Sequence, residues 1–207
     1  MKRKFDLQRF LFGAGGLLAI AFSVAAGAVF LSASRVYARD SLDTANYCSF
    51  VIPPQFVPGQ EKGLFIDQNY PMESSSIKYD VYDNGLDVIL TNREKAALKE
   101  AGTETAIADE STSLTKEIYE ETMAAAYNSQ YGQDVGFAVS SFDKITVDGY
   151  PGYKIISSYQ AADEERVHQT VFMLLSKYRT FTICMQRAED DDCEALFEEC
   201  ASSIHVH

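Results

Sequence analysis

Apolar and polar positions divide the chain into two parts. Phe10 to Leu31 is a run of 22 residues without a charge, whereas later apolar positions recur in short periodic groups. A helix of that length rises about 33 Å, enough to cross a hydrocarbon core of about 30 Å. Four basic residues precede the run, which indicates an N-terminus inside the cell. We therefore predict a basic cytoplasmic tail over 1–9, a transmembrane anchor over 10–31, a linker over 32–46 and an extracytoplasmic domain over 47–207, held at the cell membrane by a single pass.

A cleaved signal peptide is the alternative interpretation of the same segment. Val36-Tyr37-Ala38 places a small residue before a potential cleavage site, and a secreted protein would then begin at Arg39. The apolar run is longer than the roughly 7–15 residues of a typical signal-peptide core, which favours the anchor. Both interpretations place the domain outside the cytoplasm.

Helical periodicity marks two segments of the outer domain. The first runs from Ser113 to about Tyr131 and ends at Gly132. Its single apolar stripe consists of Leu114, Ile118, Tyr119, Met123, Ala126 and Tyr127. The second follows Glu189–Asp192, whose carboxylates suit the positive end of a helix dipole. Its predicted buried stripe consists of Cys193, Leu196, Phe197, Cys200 and Ile204.

Strand patterns occupy most of the remaining domain. Tyr47–Ile52 predicts a first strand, and residues 53–75 predict a long loop with one brief strand at Leu64–Ile66. Four β-rich runs follow the first helix. Val167–Ser176 is apolar on both faces, so it must be covered on both faces. The sequence predicts an α+β fold in which an antiparallel meander is covered by helices.

The order of these pieces resembles the PsbP-like family, which includes the bacterial DcrB-type proteins. Three segments carry the resemblance: a strand entering a proline-bearing stretch at Phe50–Phe56, a helix at Leu114–Tyr131, and a hairpin at Val147–Tyr153. A final strand and helix complete it, so it covers about 47–207. The resemblance implies an α/β/α sandwich and a non-catalytic accessory domain, and it supplies no catalytic, metal or cofactor-binding residue.

Charge limits the partners of the outer domain. Of 18 basic and 30 acidic residues, six basic and two acidic ones precede Ser41, so the segment from Ser41 carries a formal charge of −16. Phosphates of nucleic acids and anionic lipid surfaces would be repelled. We predict no nucleic-acid binding and no cofactor, and a protein or peptide partner with a basic patch.

Histidines are the first candidates for chemistry, and there are three. His168 is the residue around which an extracytoplasmic enzyme would be built, although a surface histidine at a strand end is the favoured interpretation. His205 and His207 lie two apart, so on a strand they would face the same way and could ligate a metal with one carboxylate. At a chain end, fraying is the favoured interpretation.

Other clusters have weaker patterns. Glu189–Asp192 lacks the spacing and the glycine of a calcium loop, so helix capping explains it better. Tyr150, Tyr153 and Tyr159 are an alternative candidate, for a shallow ligand surface. No glycine-rich phosphate loop or nucleophile-elbow motif occurs. The predicted function is therefore non-catalytic binding, with no catalytic or metal residues.

Cysteine spacing restricts disulfide pairing in the outer domain. Cys193 and Cys200 would be two turns apart on one helix, which is beyond disulfide reach. Pairing of Cys184 with either Cys193 or Cys48 remains open.

Overall fold

The computed structural model describes residues 34–38, 47–70, 75–83, 100, 114–162, 164–176 and 179–207. The predicted cytoplasmic tail over 1–9 and the predicted anchor over 10–31 lie outside these ranges. Within them, no helix has the length and apolar character needed to cross a membrane.

Ten strands and two helices are defined within the described ranges. The strands are β1 (Ser34–Ala38), β2 (Cys48–Ile52), β3 (Phe56–Pro58), β4 (Leu64–Asp67), β5 (Ser76–Asp83), β6 (Ala138–Val147), β7 (Tyr150–Tyr159), β8 (Val167–Leu175), β9 (Arg179–Ala188) and β10 (His205–Val206). The helices are α1 (Lys116–Tyr131) and α2 (Glu194–Ser202).

The main sheet has seven antiparallel strands in the order β3-β4-β5-β9-β8-β7-β6. Strands β6 to β9 form the predicted meander. The sheet differs from a single meander because β5 pairs with β9, from Ser76↔Gln186 to Asp83↔Arg179. Strand β3 was not predicted, since three residues ending at a proline carry no detectable alternation.

A second, small sheet has the strand order β1-β2-β10 and packs against one face of the main sheet. Strand β1 pairs with β2 along its whole length, from Ser34↔Ile52 to Ala38↔Cys48. Strand β10 pairs with the other side of β2. Part of the segment expected to be a linker, 32–46, is therefore a sheet strand.

Two apolar cores lie on opposite faces of the main sheet. The first core packs that sheet against α1, and the second packs it against α2 and the small sheet. Val171 and Met173 of β8 enter the first core, whereas Phe172 and Leu174 enter the second. This confirms that β8 is covered on both faces from Val171 to Leu175, whereas His168 near its start is partly exposed. The fold is α+β and antiparallel, as predicted, but the small sheet shares the second outer layer with α2.

Helix α1 begins where Thr115 accepts a hydrogen bond from the Ile118 backbone N–H at 3.3 Å, and it ends at the left-handed Gly132. Tyr119, Met123 and Tyr127 bury the predicted stripe. Ile118, which the periodicity assigned to that stripe, is 48% exposed.

Candidate functional site

The main sheet is open to solvent over part of the face that carries α2. Ser158, His168 and Arg187 form one row there across β7, β8 and β9. These side chains are half-buried, whereas their neighbours Ser157, Gln169 and Ala188 are buried. We call the row and the adjoining Glu189 the open face. It lies where α2 begins, beyond the end of the second core.

His168 is paired with a carboxylate on the open face. Its Nε2 lies 2.6 Å from Oε2 of Glu189, with side-chain exposures of 34% and 52%. The hydrogen bond from His168 is the main cause that lowers the pKa of the Glu189 carboxyl, and the charges of Arg187 and Arg166 add to it. The sequence did not predict this partner, because 21 residues separate the two positions.

Arg187 links the open face to the start of α2. Its guanidinium donates to the carbonyl oxygens of Ala188 and Glu189 at 2.9 and 2.7 Å, and it forms an ion pair with Glu194 at 2.5 Å. Two of its bonds therefore fix the turn after β9. The arrangement orders the junction between β9 and α2.

A histidine with a carboxylate is half of a nucleophilic site, and the other half is not found here. Within the described ranges, the one hydrogen bond of His168 is to Glu189. The hydroxyl of Ser158 is contacted by Arg166 at 3.5 Å. Burial raises the pKa of every cysteine thiol to about 12, which suppresses the reactive thiolate. The geometry is that of a surface pair and does not complete a triad.

A buried polar cluster lies beneath the entry to α2. Asp67 accepts hydrogen bonds from Gln55 Nε2 at 3.0 Å and from the Asn69 N–H at 2.8 Å, and the Cys193 thiol donates to it at 3.5 Å. The hydroxyl of Ser75 donates to Asp191. These contacts fasten α2 to β4 and to the start of β5. Sequence reasoning missed the cluster, because a carboxylate that ends a strand usually faces water.

The acidic run Glu189–Asp192 does not cap α2. The N-cap residue is Cys193, and its side chain makes no capping hydrogen bond. Asp191 is instead buried against Ser75, and Glu189 is bound to His168. The capping interpretation was therefore wrong for both carboxylates, which have tertiary partners.

The C-terminal histidines are ordered by contacts with distant residues. Asp148 Oδ2 accepts a hydrogen bond from the Val206 N–H at 3.0 Å and lies 3.2 Å from His205 Nδ1. His207 lies 2.9 Å from the Ser49 hydroxyl and stacks on Tyr47. Fraying was the wrong expectation for this end. No group of three metal-ligating side chains in the described part is arranged to hold a metal.

The three tyrosines of the alternative ligand surface do not share one exposed face. Tyr153 and Tyr159 are buried in the first core, and Tyr159 stacks on Tyr127 of α1 at 4.4 Å. Tyr150 lies against the second core, on the opposite face of the sheet. The alternation of a strand separates these rings.

The outer face of α2 is acidic. Asp190, Asp192, Glu194, Glu198 and Glu199 are all exposed. Arg187 forms an ion pair with one of these carboxylates, that of Glu194, and its guanidinium also donates to the carbonyl oxygens of the turn. A partner surface with positive charge would meet an excess of carboxylates along this helix.

Comparison with solved structures shows the fold. The solution structure of cyanobacterial PsbP from Synechocystis is similar at a TM-score of 0.55 and 18% identity, covering 89% of this chain and 98% of that one. The chain therefore has a PsbP-like fold, as the sequence predicted. A crystal structure from Bacteroides thetaiotaomicron aligns over 77% of this chain and 45% of its own at 8% identity and a TM-score of 0.39. No family model and no curated protein matches the chain.

Proposed function

We propose that this protein is a membrane-tethered accessory domain that binds a protein partner outside the cytoplasm and is not an enzyme. The anchor is the uncharged run 10–31, with the basic tail over 1–9 inside the cell. The partner carries a basic patch. The PsbP-like fold supplies the scaffold on which this partner would bind.

Strand β1 is the observation that supports an uncleaved anchor. It begins at Ser34, three residues after Leu31, and its last residue is Ala38. Cleavage after Ala38 would remove this strand and leave β2 paired with the two-residue β10 alone. Val36 also packs against the second core. We therefore expect a domain that keeps residues 34–38 to be more stable than one cleaved after Ala38.

The acidic face of α2 supports a basic partner. Its exposed carboxylates add to a domain that carries −16 overall. Complementary fields speed encounter and select the orientation of docking. Within the described part, His168 is hydrogen-bonded to Glu189 and to no hydroxyl or thiol, which supports binding rather than catalysis.

The tether is tested on intact cells. Protease added from outside should remove the domain and leave an N-terminal fragment in the membrane. Intact mass of the isolated protein should show that residues 34–38 remain joined to the apolar run. Mature protein starting at Arg39 and free in the medium would contradict the anchor.

The His168–Glu189 pair favours a second candidate, an extracytoplasmic hydrolase built around His168. The two candidates are separated by screening the purified protein for turnover of ester and peptide substrates. We expect no turnover, and equal partner binding for wild type and His168→Ala. Turnover that is lost in His168→Ala, with the fold intact, would establish the enzyme instead; Glu165→Gln is the matched surface control.

A further inference from the structure

The main sheet separates the four cysteines into two groups. Cys184 lies on the face of β9 that packs toward α1, beside the first core. Cys48, Cys193 and Cys200 lie in the second core, on the other side of the sheet. A pair that includes Cys184 would have to cross the sheet, so both pairings left open by the sequence are wrong. Cys193 precedes α2 and Cys200 lies near its end, as predicted for a pair too far apart to bond.

Cys48 and Cys200 lie where β2 packs on α2. Both side chains are completely buried in the second core. The Ser203 hydroxyl accepts from the Val51 N–H and donates to the Cys200 carbonyl oxygen, each at 2.7 Å. Six residues after Cys200, Val206 pairs directly with Cys48 in the small sheet. The segment that follows Cys200 is thus held against β2 at two points, by Ser203 at Val51 and by Val206 at Cys48.

The electrostatic environment of the cysteines agrees with this grouping. A thiolate at Cys200 would raise the pKa of Cys48, after the larger effect of burial. Cys193 is influenced instead by Asp67 and Asp191, so it belongs to the polar cluster.

We propose that Cys48 and Cys200, free thiols in this structure, are joined by a disulfide in the mature protein, so that β2 is bonded to α2. The inference rests on the proposed location outside the cytoplasm, where disulfides persist. The bond would close a loop of about 150 residues, and loops of that length gain the most in the chain-entropy description.

The oxidant is a protein disulfide of the extracytoplasmic compartment. One thiolate attacks that disulfide and releases one carrier thiolate, and the second thiolate then displaces the other carrier sulfur. Two electrons pass to the carrier, which becomes a dithiol, while the two cysteines give up their protons. Because buried thiols resist this attack, the exchange occurs before the second core closes.

Two preparations of the full chain in detergent test the bond. In protein isolated from its native membrane, alkylation followed by non-reducing peptide mapping should find Cys48 linked to Cys200, with Cys184 and Cys193 alkylated. Protein that is reduced, denatured and then refolded in a glutathione redox buffer should give the same linkage. In the refolded sample, Cys48→Ser/Cys200→Ser should lower Tm by about 10 °C, a shift typical of a lost native disulfide. The double variant should be insensitive to reductant, because it lacks the bond. Cys184→Ser removes a thiol outside the bond, so it should keep the Cys48–Cys200 linkage and, like wild type, lose stability when reductant is added.

The two arms separate the possible failures. If refolding forms the Cys48–Cys200 bond but the native protein has free thiols, the pairing stands as geometry and the proposed location fails. If refolded protein has free thiols or a different pair, the disulfide itself is contradicted.

Discussion

Asp148 connects two parts of the fold that are 58 residues apart in sequence. It lies in the turn between β6 and β7 with φ of 50°, and its carboxylate binds the Val206 N–H of β10. This hydrogen bond is the main cause that lowers the pKa of the Asp148 carboxyl, and His205 and His207 add to it. The ionised residue therefore holds the C-terminal strand in place.

The stability of the protein should fall in acid partly through Asp148. Because the folded pKa is below the unfolded value of 3.8, the contribution is present above pH 3.8 and is lost as pH falls through the folded pKa. Asp148→Asn keeps a residue that tolerates the left-handed turn but removes this titration. Urea midpoints at about pH 6 and about pH 3 should differ less for the variant than for wild type. Glu165→Gln is the control. An equal loss of stability on acidification in wild type and Asp148→Asn would mean that Asp148 does not contribute to the acid sensitivity.

Phe197 should account for much of the adhesion of α2. Its ring lies in the second core, 5.9 Å from that of Phe56. Phe197→Ala should cost about 3–5 kcal/mol in denaturant unfolding, as for other buried aromatics. The exposed Ile118→Ala is the control and should change stability by about 0.5 kcal/mol or less. A loss below about 1 kcal/mol for Phe197→Ala would show that α2 is peripheral.

Single residues were predictable from sequence where period alone decides burial. Tyr119 and Phe197 follow helical spacing, and both are buried. Glu189 and Asp191 were assigned to a helix end because charge and position were the available signals. Their partners, His168 and Ser75, are 21 and 116 residues away. Contacts of that range follow from strand order, which no local pattern contains.

Helix α1 fastens the edge strand of the main sheet through Glu120. The Oε2 of Glu120 accepts a hydrogen bond from the Val139 N–H at 2.8 Å, next to the register shift in β6. The amide of Val139 would otherwise lack this charged acceptor. The contact ties an edge strand to the helix that covers it.

Glu120→Ala should loosen the first residues of strand β6. We expect a loss of about 1.5 kcal/mol, the lower end of the range for a hydrogen bond to a charged group, because Glu120 is only partly buried. Amide exchange at Val139 should quicken, while exchange at Ile155 in the sheet interior stays as in wild type. Glu120→Gln keeps an uncharged acceptor, so its exchange rate at Val139 should lie between those of wild type and Glu120→Ala. Unchanged exchange at Val139 in Glu120→Ala would rule out this fastening.

Elements were predictable when they were long and periodic. Helices α1 and α2 and strands β6 to β9 follow from their patterns. Strand β1 was missed because it lies within a small, polar stretch that was assigned to the linker, and β3 was missed because its three residues give too little alternation. The small sheet was also missed, because its strands come from both ends of the described chain.

At the scale of the whole molecule, charge is the property most open to measurement. The segment from Ser41 carries −16, and α2 exposes five carboxylates in and just before it. A complex with a basic partner should therefore weaken as salt rises from about 0.05 to about 0.5 M, where the screening length falls well below 10 Å. Glu198→Gln/Glu199→Gln should reduce this salt dependence, and Glu165→Gln should not. Affinity independent of salt would contradict electrostatic docking.

Pairing between β5 and β9 decides when the protein can acquire its shape. About one hundred residues separate the two strands, and the small sheet joins β2 to the last residues of the chain. Contacts so distant in sequence form late and slowly. In the proposed topology residues 10–31 stay in the membrane with the N-terminus inside, and the C-terminal strands are the last to cross, so each sheet is incomplete until its last strand arrives. We expect the nascent protein to stay unfolded throughout translocation and to collapse only afterwards, on the outer side.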